Sequence, residues 1–137
     1  MSLSLAMLIG ASAWGYDFKS EGLCYNIIND TEQPYKVEVC YESLNNNYKG
    51  LTSVSIPYSV NFSGLTFNVT GVGDRAFYSC TDLTNVVLPD GMDSIGAESF
   101  RGCTNLSSIA IPETIKISKN MLSMVVAILH YSIFLTL

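Results

Sequence analysis

The run Gly73-Asp74-Arg75-Ala76-Phe77-Tyr78-Ser79-Cys80-Thr81-Asp82-Leu83 returns 23 residues later as Gly96-Ala97-Glu98-Ser99-Phe100-Arg101-Gly102-Cys103-Thr104-Asn105-Leu106, with Gly, Phe, Cys, Thr and Leu in matching places. The match continues beyond each run: Leu83-Thr84-Asn85-Val86-Val87-Leu88-Pro89 aligns with Leu106-Ser107-Ser108-Ile109-Ala110-Ile111-Pro112. A third copy of this second half stands at Leu51-Thr52-Ser53-Val54-Ser55-Ile56-Pro57. A unit this short cannot bury its own apolar face. Repetition at a fixed spacing therefore demands that successive units stack on one another as a solenoid.

The chemistry of one unit can be read residue by residue. A period of 23 lies within the roughly 20–29 residues of leucine-rich-type coils. Leu83, Val86 and Leu88 have the spacing that places apolar side chains inside the coil, and Asn85 and Val87 face outward from a short strand. Pro89 ends that strand because it has no N–H for the next ladder bond. Met92 and Ile95 turn inward, Gly96 permits a tight bend, and Ala97 to Phe100 is expected to form a short helical or 3₁₀ stretch with Phe100 plugging the interior. The third copy precedes Leu83 by 32 residues, one period plus nine. The surplus falls in Asn61 to Thr70, where Ser63-Gly64 divides two alternating apolar arms, the pattern of an inserted β-hairpin.

The preceding segment does not repeat. Leu23 to Ile28 and Tyr35 to Tyr41 alternate apolar and polar residues, with Asn29-Asp30-Thr31 and Pro34 between them. They are expected to pair as an antiparallel hairpin that caps the open end of the solenoid, where an apolar stack and a bare strand edge would otherwise meet water. Ser43 to Gly50 reads as a polar loop.

The run from Gly73 to Pro112 resembles the BspA-like leucine-rich repeats of surface proteins from anaerobic oral and gut bacteria, and Tyr16 to Tyr25 is similar to the segment that opens many of them. The resemblance covers about residues 1–116. It implies a β-rich leucine-rich-repeat solenoid that adheres to host proteins or other cells, with an extracellular protein or host-surface ligand as partner and no catalytic residues. The chain departs from the pattern after Pro112, where Ile115 to Asn120 falls one residue short of register; family members are usually longer, so the chain is read as a short or truncated member.

The expected organisation is an export signal at 1–15, an N-terminal β cap at 16–50, the solenoid at 51–116 and a divergent apolar tail at 117–137. The signal rests on Leu3 to Trp14, about a dozen apolar residues followed by small ones, although no Lys or Arg precedes Leu3. The tail, Met121 to Leu137, is 17 residues long, at the lower limit for a membrane helix. Lys116 and Lys119 flank the side that would lie outside the cell, which argues against a span.

Other chemistry is sparse. Net charge is −5 with seven Lys+Arg spread along the chain, so no basic patch invites nucleic acid. The one histidine, His130, sits in the apolar tail, and no Cys-x-x-Cys pair suggests zinc. Asp74, Asp82, Asp90, Asp93 and Glu98 occupy turn positions without the spacing of a calcium loop. No cofactor and no enzymatic constellation is expected. Four Asn-x-Ser/Thr sequons, at Asn29, Asn61, Asn68 and Asn105, are what an Asn-, Ser- and Thr-rich chain contains by chance. Cys80 and Cys103 occupy equivalent coil positions and are expected as stacked buried thiols, whereas Cys24 and Cys40 could pair if the strand register sets them opposite. The candidate binding surface is the outward strand face: Ser53, Ser55, Asn85, Val87, Ser108 and Ala110. A secreted or cell-surface interaction protein is the reading that fits; the alternative is a truncated repeat fragment with no activity of its own.

Overall fold

The computed structural model describes residues 15–43 and 47–115. The export segment before Gly15 and the tail at 117–137, with His130, lie outside the described residues. Nine short strands are present among the described residues: β1 (Phe18–Ser20), β2 (Leu23–Asn29), β3 (Tyr35–Val39), β4 (Ser53–Ser55), β5 (Ser59–Phe62), β6 (Leu65–Val72), β7 (Asn85–Val87), β8 (Ser94–Ile95) and β9 (Ser108–Ala110).

The three matched half-repeats become one parallel sheet in the order β4-β7-β9. Its register pairs Val54 with Val86 and Val86 with Ile109. All three are buried, so an inward apolar rung repeats at each coil. The two Phe-bearing turns stack as the 23-residue spacing requires. Phe77 and Phe100 lie face to face, centroids 5.4 Å apart and planes 6° from parallel, and Leu83 and Leu106 are buried with them.

A ladder of backbone bonds runs between the same two turns. The N–H groups of Arg75, Phe77 and Ser79 donate to the carbonyls of Ala97, Ser99 and Arg101 at 2.9, 2.8 and 2.7 Å. These turns are not the short helix that the sequence suggests: 74–79 and 97–102 are turns throughout, and no helix occurs among the described residues. The cause is local. Arg75, Ser79 and Glu98 adopt left-handed φ values of 56°, 58° and 55°, and Gly102 one of 80°. Such residues interrupt a right-handed helix, and the N–H groups of Arg75 and Ser79 go to the neighbouring coil instead.

The hairpin insertion is present, displaced by two residues toward the N-terminus from Asn61 to Thr70. β5 and β6 pair antiparallel from Ser59↔Asn68 to Phe62↔Leu65, joined by Ser63 and Gly64, both at positive φ as a tight two-residue hairpin loop requires. β6 continues past the hairpin and pairs in parallel with β8 through Gly71↔Ser94 and Val72↔Ile95.

The N-terminal strands also differ from the expected separate two-stranded cap. β2 and β3 do pair antiparallel, but β1 adds outside β2 and β3 pairs in parallel with β6, so β1-β2-β3-β6-β5 is one sheet. Parallel pairing between strands about 30 residues apart is a tertiary event that no local pattern announces. The two outer strands of this path, β1 and β5, come alongside each other. Phe18 stacks on Phe62 there, centroids 4.4 Å apart, and encloses a second aromatic core with Tyr25 and Phe67.

Gly73 and Gly96 recur for a steric reason. A Cβ on Gly96 would lie 2.4 Å from the backbone nitrogen of Asp74, and one on Gly73 would lie 3.1 Å from the Val39 carbonyl oxygen. Each glycine is a point where the chain touches the backbone of the layer before it. Gly96→Ala is therefore expected to destabilise the fold by about 1–3 kcal/mol through overpacking. Each kcal/mol moves Tm by roughly 2–8 °C in domains of about 60–250 residues, and thermal unfolding followed by circular dichroism measures the shift.

Candidate functional site: the strand face and the turn side

The six residues predicted to face outward fall into two straight rows. Ser53, Asn85 and Ser108 are in register across β4, β7 and β9, as are Ser55, Val87 and Ala110. Strand alternation puts Val54, Val86 and Ile109 inside and these six outside. Neither row carries a charge. Ser108 Oγ lies 3.4 Å from Asn85 Oδ1, and Val87 is 47% exposed, an apolar side chain left open at the centre of its row.

The row before them is closed by its own chemistry. Thr84 Oγ1 donates to the Thr52 carbonyl at 2.8 Å and Ser107 Oγ to the Thr84 carbonyl at 3.1 Å. Asn105 Nδ2 donates to the Thr81 carbonyl at 2.7 Å. These side chains tie coil to coil while remaining exposed, and in the two rows beside them Asn85 is the half-buried member.

The turn side shows residues whose role is not visible in a stretch that reads as polar loop. Asn47 Nδ2 donates to the carbonyls of Ala76 and Tyr78 at 3.1 and 2.9 Å. One coil later the equivalent carbonyls, of Ser99 and Arg101, receive the N–H groups of Phe77 and Ser79. One side-chain amide thus supplies the two donors that a preceding coil would have supplied. Cys80 Sγ donates to the Asn47 carbonyl at 3.3 Å just as Cys103 Sγ donates to the Phe77 carbonyl at 3.0 Å. Contact with the Cys103 thiol, and then burial, pushes the Cys80 thiol far above its ordinary range.

Tyr48 completes the substitution. Its ring packs on Phe77 at 5.1 Å, extending the stack that Phe77 makes with Phe100. Its hydroxyl accepts from Cys24 N–H at 3.0 Å and donates to the Cys40 carbonyl at 2.6 Å. It is thereby spliced into the end of the β2–β3 ladder. The only advance signal was an aromatic residue in an otherwise polar run, at a spacing from Phe77 that is not the repeat's.

Beside the second sheet a polar cleft of about 430 Å³ is lined by residues including Asn26, Glu38, Tyr41, Asp74 and Ser94. Burial, with a lesser push from the Asp74 charge, raises the Glu38 carboxyl above its ordinary range. Asp74 Oδ1 accepts from Ala97 N–H at 2.7 Å, so it serves the coil contact. Glu98 is held below the ordinary carboxylate range by Arg75 and then Arg101; this exposed cluster decorates the turns. Among the described residues no group of three His, Cys, Asp or Glu side chains is placed to hold a metal ion.

Two outcomes are expected here. Tyr48→Phe keeps the ring stack but strands Cys24 N–H and the Cys40 carbonyl, at a cost of about 1–3 kcal/mol readable as a lower midpoint in urea. Glu38 has a raised pKa in the folded state, so its penalty is absent below the unfolded carboxylate range and grows as pH rises through the folded value. Glu38→Gln should then melt above the wild type at pH 7, with the gap closing toward zero in acid. Equal melting temperatures at pH 7 would contradict the assignment.

Comparison with known proteins agrees with this architecture. Residues 70–134 match the family model described as a BspA type leucine rich repeat region (6 copies). No curated protein matches the chain. A solved leucine-rich repeat protein from Bacteroides ovatus is similar with a TM-score of 0.60 and 31% identity, over 74% of this chain and 25% of that one. A second, from Bacteroides capillosus, has a TM-score of 0.52 and 21% identity, over 74% of this chain and 87% of its own length, a likeness of fold. The chain thus spans about a quarter of the Bacteroides ovatus protein. With the 23-residue unit seen both in the sequence and as stacked coils, the repeat region of this chain, residues 70–134, is a leucine-rich repeat region of the BspA type.

Proposed function

We propose that this chain is an exported or surface-held interaction module that binds another extracellular protein across the strand face. The observation that carries the reading is the pair of in-register outward rows, uncharged and largely exposed, beside a hydroxyl ladder at Thr84 and Ser107 that is already spent on coil carbonyls. Those rows are neutral, mostly small and evenly stepped from β4 to β9. A patch with one exposed apolar side chain, Val87, admits an extended backbone closely and offers polar groups along the Ser53–Asn85–Ser108 row, where the Ser108 hydroxyl is shared with Asn85. Binding of proteins is the general use of leucine-rich repeat folds, and repeat solenoids use the regular surfaces that stacking creates. The family likeness supports export or surface display in the same way.

The experiment is a binding screen of the purified chain against a panel of extracellular matrix proteins by biolayer interferometry. Val87→Asp is expected to weaken any interaction found by at least tenfold, because a charge would enter a neutral, desolvated contact. It should leave Tm within about 4 °C, as an exposed substitution does. Lys36→Ala, on the second sheet, serves as the control and should bind as the wild type does. An interaction that survives Val87→Asp and fails with Lys36→Ala would move the binding surface to the other side of the molecule.

A further inference from the structure

The four buried cysteines divide by what holds their sulfur atoms. Cys80 and Cys103 each donate to a backbone carbonyl, at 3.3 and 3.0 Å. The Cys24 thiol lies against the Tyr48 hydroxyl, and among the described residues no carbonyl accepts from the thiol of Cys24 or Cys40. These two stand opposite each other: the β2–β3 register sets Tyr25 against Val39, the next step sets Cys24 against Cys40, and Cys40 N–H donates to the Cys24 carbonyl at 2.9 Å. Opposed residues of an antiparallel pair have Cα atoms about 4.5–5.5 Å apart and side chains on one face. Facing residues held by such a direct backbone bond are the arrangement that a disulfide, with its Cα atoms roughly 4.4–6.8 Å apart, bridges. The reciprocal backbone bond is replaced at this point, because the Tyr48 hydroxyl stands between Cys24 N–H and the Cys40 carbonyl. The ladder therefore ends there on a single direct bond.

We infer that Cys24 and Cys40 are a site of oxidation, forming a cross-strand disulfide that ties β2 to β3 beside Tyr48. The structure holds the reduced pair. With an organic disulfide such as oxidised glutathione as oxidant, one cysteine thiolate attacks the oxidant's S–S bond and releases one glutathione thiolate. The second cysteine thiolate then displaces the other glutathione from the mixed disulfide. Two protein thiols become one disulfide, two electrons pass to the oxidant, and the two protons leave with the glutathione thiols. Cys24 is wholly buried and Cys40 nearly so, and burial holds the Cys40 thiol well above its ordinary range. Exchange on the folded protein is slow for that reason, and the bond forms while the chain folds. Cys80 and Cys103 stay reduced, since each thiol is already held by a backbone carbonyl, at 3.3 and 3.0 Å. None of this depends on binding at the strand face.

The test is to refold the full chain in a mixture of reduced and oxidised glutathione, alkylate it with iodoacetamide in denaturing guanidinium chloride so that buried thiols are reached, and digest it with trypsin without reduction. The expected product joins the peptides 20–36 and 37–49, with alkyl label on Cys80 and Cys103. Alkylation of all four cysteines, or a link through Cys80 or Cys103, overturns the assignment. A second measurement compares Tm with and without dithiothreitol. The wild type should melt lower when reduced, and a Cys24→Ser/Cys40→Ser variant should not respond. If that variant does not fold, the wild-type comparison decides, and a wild-type Tm indifferent to reduction overturns the tie.

Discussion

Phe77 lies between Tyr48 and Phe100, with ring centroids 5.1 and 5.4 Å away, and the spacing of the coils is set by that stack. Aromatic rings in offset or parallel contact contribute beyond the area they bury, and here they also fix a distance. The turn of one coil cannot slide over the next without breaking both the ring contact and the three N–H donations from Arg75, Phe77 and Ser79. The strand side is held to the same step, because each coil is one continuous chain from its turn through its strand. Even spacing of the outward rows results from contacts made in the interior behind them.

Tyr48 carries this constraint across the molecule. Its ring belongs to the coil stack, and its hydroxyl belongs to the ladder between β2 and β3. The second aromatic core, around Phe18, Tyr25 and Phe67, is joined to the repeats there and along β3–β6. The buried Tyr25 hydroxyl has no hydrogen-bond partner among the described residues, so this core retains a cost that the repeat core does not have. Its stability rests on ring packing and strand pairing rather than on polar contacts.

The repeat was legible because its determinants are local and periodic. Leu83 and Leu106, Val86 and Ile109, and the paired Phe and Gly positions all announced themselves at an offset of 23. The hairpin was legible for the same reason, since Ser63-Gly64 is a turn signal between alternating arms. What escaped was nonlocal or conformational. Left-handed backbone at Arg75 and Glu98, neither of them glycine, is imposed by the neighbouring coil and leaves no compositional trace. Asn47 and Tyr48 act through carbonyls and rings about 30 residues away. The pairing of β3 with β6 exists only once the solenoid has brought them together. For the strand face, the outward residues could be named from alternation alone, whereas their alignment into rows needed the coordinates.

The nine surplus residues between the first and second strand copies never reach β4 or β7. They are taken up by β5 and the hairpin arm of β6, in the other sheet, while Ser53 still meets Asn85 and Ser55 still meets Val87. Coil length and strand spacing are thus separate variables in this architecture. Lineages can lengthen, shorten or redecorate the back of such a protein by insertion without disturbing the pitch of its front, so one side is free to diversify while the other keeps a fixed ruler.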